Sequence, residues 1–269
     1  MKRAFMDAAF YLVAMILIQA AVQLLTLFVC QTHDITPMVY TVVALVGSVA
    51  TIALFAWRKW TPCTGDYINT RPWGASAWAA LLAVGLMIPV AYTGELLGID
   101  LPEDMERLLT GVMGTDLGFF TVGIVAPVAE EMVLRGAVLR RLDEALGHRL
   151  RWLSIAVSAL LFAVIHGNMA QGIGAFLMGL ALGWTYIRTR SVVPGIVMHW
   201  TNNILSVLIY RLMPGAAGMT LTEYFGGDMK RVALMIIFSL MIAGAAVYQL
   251  NLRLHRPEIR RASEPDTLS

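Results

Sequence analysis

Glu130 and Glu131 stand side by side, four residues ahead of Arg135, in a run that is otherwise apolar from Phe119 to Leu139. That run is long enough to cross a bilayer. An ionised carboxylate at membrane depth costs about 2.5 kcal/mol or more, so an adjacent pair requires either partners or a function. On a helix, residues four apart share a face, whereas neighbours are turned by about 100°. Glu131 and Arg135 therefore pair and neutralise each other, which leaves Glu130 as the carboxylate without a dedicated cation. Such a group is suited to act as a general base. The alternative is a buried charge network of all three residues that fixes helix packing.

Two histidines also fall inside apolar runs: His166 ends Phe162-Ala-Val-Ile-His166, and His199 begins His199-Trp-Thr-Asn-Asn203. Asn203 lies one helical turn beyond His199 and on the same face, with Asn202 close to it. An imidazole and a carboxamide facing one way can donate hydrogen bonds to a developing oxyanion. His33, His148 and His255 fall in connections or the tail and are expected in solvent. Glutamate and histidine are also metal ligands, so the same set could hold zinc. Several other intramembrane chemistries are absent, because the chain has no HExxH zinc helix, no GxSG serine site and no GxGD aspartate site. A carboxylate, an arginine and histidines are equally the parts of a proton relay. A proton-coupled transporter, or a non-catalytic membrane scaffold or immunity protein, is thus the alternative to an enzyme.

Glu130-Glu131-Met-Val-Leu-Arg135 fits EExxxR, Phe162 to His166 fits FxxxH, and His199 to Asn203 fits HxxxN. In this order they resemble the three motifs of the CPBP intramembrane proteases, also called the Abi or type II CAAX protease family. Arg188-Thr-Arg-Ser-Val-Val-Pro-Gly-Ile196 is similar to the family's segment at that place. The resemblance covers about Leu117 to Arg211. It implies an intramembrane endopeptidase in which Glu130 activates the attacking water with help from His166, while His199 and Asn203 stabilise the oxyanion. Glu131, Arg135 and Phe162 would support them, with no obligatory metal. The implied substrate is a membrane-associated protein or peptide; eukaryotic relatives cut prenylated C-terminal CAAX proteins. The short chain without organelle-type signals is expected in a bacterial cytoplasmic membrane, with no nucleic-acid partner.

Positioning these groups requires helices. Of the 269 residues 58% are hydrophobic and only 14% charged, too apolar for a soluble domain and typical of an all-α polytopic bundle. Eight apolar runs are expected as spans: Ala8 to Cys30, Met38 to Trp57, Ala75 to Leu97, Leu117 to Leu139, Trp152 to His166, Gly172 to Ile187, Val192 to Leu212 and Val232 to Leu250. With both termini inside, fifteen lysines and arginines fall on inner segments. Four (Arg107, Arg211, Lys230 and Arg231) fall on outer ones, and Arg135 lies within a span. The first run is too long for a signal-peptide core and reads as a retained anchor. Cys30 and Cys63 fall on opposite sides in this topology and are not expected to form a disulfide.

The chain divides into an N-terminal part, 1–116, with three spans and an acidic outer loop, and a motif-bearing core, 117–211. A last span, 212–252, and a polar cytoplasmic tail, 253–269, follow. Leu139 to Trp152 is expected as an amphipathic segment on the cytoplasmic face. Gly179 and Gly183 form a GxxxG pair for close helix packing. One tension remains between the motifs. In a regular bundle His166 falls near the outer end of its span and His199 near the inner end of its own. A shared site therefore requires a short, tilted or broken span, with Pro127 and Pro194-Gly195 the places to look, and boundaries shifted by several residues.

Overall fold

The computed structural model describes residues 2–32, 34–62, 72–213, 215 and 218–254, and these form helices and turns without strands. In chain order the long helices are α1 Lys2–Val29, α2 Pro37–Trp57, α3 Trp73–Leu96, α4 Glu103–Met113, α5 Asp116–Leu146, α6 Arg151–Val164, α7 Met169–Thr189 and α8 Val193–Leu212. A short turn of helix, α9 Leu221–Tyr224, precedes α10 Met229–Arg253. Side-chain caps set several starts: Thr36 accepts from the Val39 N–H, Thr115 from Gly118, Asn168 from Gln171, and Asp228 from Lys230 and Arg231.

Six of these helices (α1, α2, α3, α5, α7 and α10) are long and apolar enough to cross a membrane. The other two expected spans are also helical. With 14 residues, α6 is about 21 Å long at 1.5 Å per residue, and α8 has 20 residues but carries the polar His199 to Asn203 stretch. Several ends lie away from the expected positions. Helix α1 starts at Lys2 rather than Ala8, and α10 runs from Met229 to Arg253. The expected connector after Leu139 is largely a continuation of α5 to Leu146, followed by a 3-10 turn at His148–Leu150. Asp143 in this continuation is buried and ion-paired to Arg151 and Arg190. It ties the end of α5 to the start of α6 and the end of α7. The acidic outer loop contains helix α4, whose first turn carries Glu103, Asp104 and Glu106 where a helix N-terminus favours anions.

Helix α5 is the centre of the bundle: all eight residues from Met132 to Leu139 are buried. On one side it meets α1 and α2 through Tyr11, Met15 and Phe55. On the other, Leu134 joins a core built from α3, α7, α8 and α10. The GxxxG glycines bring α7 onto α6. A Cβ at Gly179 would lie 3.0 Å from the Ala159 Cβ, and one at Gly183 2.9 Å from the Ile155 Cγ2. Large apolar side chains such as Leu17, Leu24, Phe28, Phe238 and Met241 stay exposed on α1 and α10, as lipid-facing surfaces do. Cys30 is exposed with a free thiol; Cys63, His33 and the tail from 255 lie outside the described residues.

Candidate active site

Helix α5 is not regular where it carries the paired glutamates. Glu130 and Glu131 close a short α-helical stretch, Ala126–Glu131, that is bracketed by π-helical segments at Thr121–Val125 and Met132–Leu139. Proline explains the first segment. A Pro127 ring in a regular α-helix clashes with the carbonyl four residues back and supplies no N–H, and the wider i to i+5 register relieves both. In the second segment, hydroxyls from neighbouring chain take backbone carbonyls: Thr61 donates to Met132 and Ser158 to Leu134, the latter at 3.0 Å. Single-turn π insertions within α-helices recur at functional sites.

The Glu131 and Arg135 pair is formed and buried, with Arg135 Nη1 donating to Glu131 Oε1 at 2.8 Å. Glu131 does more than the spacing implied, because the Nδ1–H of His199 donates to the same oxygen at 3.1 Å. Its other oxygen, Oε2, is buried without a hydrogen-bond partner. Oε2 faces Gly195, where a Cβ would lie only 2.8 Å away. A side chain at that position would displace the carboxylate, so Gly195 lets the start of α8 close over Glu131.

The imidazole of His199 bridges the two carboxylates. Its Nε2 is 3.7 Å from Glu130 Oε2, longer than a hydrogen bond. His199 is buried, whereas the Glu130 side chain keeps 26% of its surface open. Glu130 is therefore the carboxylate that an incoming water can reach.

His166 enters through an aromatic ring. The Phe162 ring stands edge-on to the His166 ring at 4.9 Å and to the His199 ring at 5.5 Å, and the Arg135 guanidinium lies over it at 4.6 Å. The short α6 makes this possible: it ends at Val164, and His166 sits in the following turn. The Phe162 carbonyl accepts from His166 Nδ1 at 2.8 Å. A carbonyl can only accept, so Nδ1 carries the proton and Nε2 is the open acceptor.

Asn203 is held higher on α5. Its Nδ2 donates to the Val122 carbonyl at 3.0 Å, and its Oδ1 accepts from Asn202 at 3.1 Å. Next to it, Trp200 Nε1 donates to the Ile124 carbonyl at 2.8 Å. Sequence reading named Gly195 only as part of a possible break in the span, and passed over Trp200 and the bond between Glu131 and His199. Of the two prolines, Pro127 follows a π-helical segment, whereas Pro194 sits in the first turn of α8, where proline fits a regular helix. Among the described residues no group of three or more His, Cys, Asp and Glu is arranged to hold a metal ion.

The fold and site define a polytopic helical membrane protein in which Glu130 and Glu131 of α5 meet His199 of α8, with the Phe162 ring between His199 and His166. Residues 114–205 match the family described as Rce1-like, type II CAAX prenyl endopeptidase. It is similar to the membrane-embedded CAAX protease MroQ of Staphylococcus aureus, with 26% identity over 148 residues. That similarity covers 54% of this chain and 60% of the relative, so the chain spans less than two thirds of its length. No solved structure matches.

Proposed function

We propose that the chain is an intramembrane endopeptidase that hydrolyses a peptide bond in a membrane-associated protein or peptide, with Glu130 as the base. The observation that carries this reading is the placement of His199 Nε2 at 3.7 Å from Glu130 Oε2, with the His166 ring one phenyl ring away. Glu130 takes a proton from water while the water oxygen adds to the scissile carbonyl carbon. His166, with Nε2 open, helps to hold that water. The oxyanion that forms is stabilised by His199 and Asn203. Because Glu131 already takes the Nδ1–H of His199, the ring donates from Nε2 only when both nitrogens carry a proton. Collapse of the intermediate breaks the C–N bond, and the proton held by Glu130 passes to the departing amine.

Each step uses the chain's own residues, so metal-independent turnover is part of the proposal. So is the topology: eight spans with both termini on the cytoplasmic side of a bacterial membrane. Comparing membrane-protein fragments in cells expressing wild-type protein and Glu130→Gln tests the reading. A fragment should appear only with the wild type; a fragment pattern indifferent to the substitution would remove it.

A further inference from the structure

We propose that Pro127 is a positioning residue that works through the Val122 carbonyl to fix Asn203. In the first π segment the Ala126 N–H donates to the Thr121 carbonyl, five residues back. The next bond in this register would bring the N–H of residue 127 to the Val122 carbonyl. Residue 127 is proline and has no N–H. The one backbone donor left that could serve Val122 in an α register, that of Ala126, is already on Thr121. Val122 therefore keeps a carbonyl without a helical partner, in a half-buried place where an unsatisfied acceptor is unfavourable.

Asn203 Nδ2 takes this oxygen at 3.0 Å from the facing helix, while Asn202 holds the other end of the carboxamide. Both ends of the Asn203 side chain are thus fixed, and the second hydrogen on Nδ2 has no acceptor among the described residues. Proline shapes the donor as well as the bend: it leaves free the Val122 carbonyl, which orients a carboxamide eighty-one residues further along the chain. The neighbouring bond from Trp200 to Ile124 holds the two helices in this register. In its catalytic consequence the inference rests on the peptidase reading, since the free N–H is the one available to an oxyanion.

Pro127→Ala restores the missing N–H, so the Val122 carbonyl gains a backbone donor and Asn203 loses its anchor. Alanine is also a better helix former, which favours retention of the fold. In micelles, with the Asn203 side chain followed by 15N NMR, the wild type should show two widely separated carboxamide protons, one shifted by the Val122 carbonyl. In Pro127→Ala they should move together, and the backbone N–H newly present at position 127 should exchange slowly. An unchanged Asn203 signature in Pro127→Ala would overturn the proposal whatever the protein does to substrates.

Cleavage of fluorescently labelled casein supplies the second arm. Pro127→Ala should lower kcat about three- to tenfold, the range of one lost hydrogen bond, with KM unchanged. The same change in an Asn203→Ala background should cost nothing further. An equal additional loss in that background would show that Pro127 acts by another route and would equally overturn the proposal. If wild type and Glu130→Gln do not differ on casein, the peptidase reading fails in this arm and the NMR comparison alone decides the role of Pro127.

Discussion

Glu131 Oε1 accepts from His199 Nδ1 at 3.1 Å, across two helices and sixty-eight residues of sequence. The second glutamate therefore orients the imidazole that faces the first. It joins the ion pair with Arg135 to the site instead of standing behind it.

That ion pair is buried on both sides, and breaking such a pair leaves an uncompensated charge. Glu131→Gln or Arg135→Met should each cost about 3–5 kcal/mol, read as a large fall in unfolding midpoint in detergent micelles. Replacing both together should cost less than either alone, and strict additivity of the two losses would argue against a coupled pair.

His199 offers a separation of structure from chemistry. His199→Asn places an N–H near the former Nδ1, preserving the bond to Glu131, but removes Nε2. Its stability should stay within about 1 kcal/mol of wild type, while kcat falls by about 10²-fold or more, as on loss of an oxyanion donor. His199→Ala should lose both. An active His199→Asn protein would take Nε2 out of the mechanism.

Gly195→Ala places a methyl 2.8 Å from Glu131 Oε2, and displacing that carboxylate disturbs its bonds to Arg135 and His199. A cost of about 1–3 kcal/mol is expected from such overpacking, with cleavage reduced. Gly244→Ala on α10 has nothing within 4 Å of the added methyl and should leave both unchanged. Equal behaviour of the two variants in unfolding and cleavage assays would contradict the close approach at Gly195.

Dialysis against a strong chelator should leave the cleavage rate within experimental error. Loss of activity that returns on adding zinc would assign the Glu and His side chains as ligands and displace Glu130 from its role as sole activator of water.

The three motifs were legible because helical spacing of four puts their members on one face. For that reason the pairing of Glu131 with Arg135 followed from the chain alone. The six long apolar helices were legible for a simpler reason, their unbroken hydropathy. The helix ends were harder: polar Lys2, Arg3 and Asp7 conceal the first turns of α1, and Asp143 looks like a surface residue until Arg151 and Arg190 close on it. The π segments were not legible, since a proline marks where a helix must give but not which register it takes, nor that donors such as Asn203 and Trp200 arrive from the far end of the core to meet the freed carbonyls. The approach of His166 to His199 through the Phe162 ring likewise depended on α6 stopping at Val164.

The most direct test of Glu130 as the base is a comparison of purified wild-type protein and Glu130→Gln, reconstituted in lipid with the substrate found by fragment profiling. Glutamine keeps the size and removes the basic oxygen. The variant should insert and unfold like the wild type, bind the same substrate and show no cleavage above the uncatalysed rate. Cleavage by Glu130→Gln at the wild-type rate would contradict the assignment.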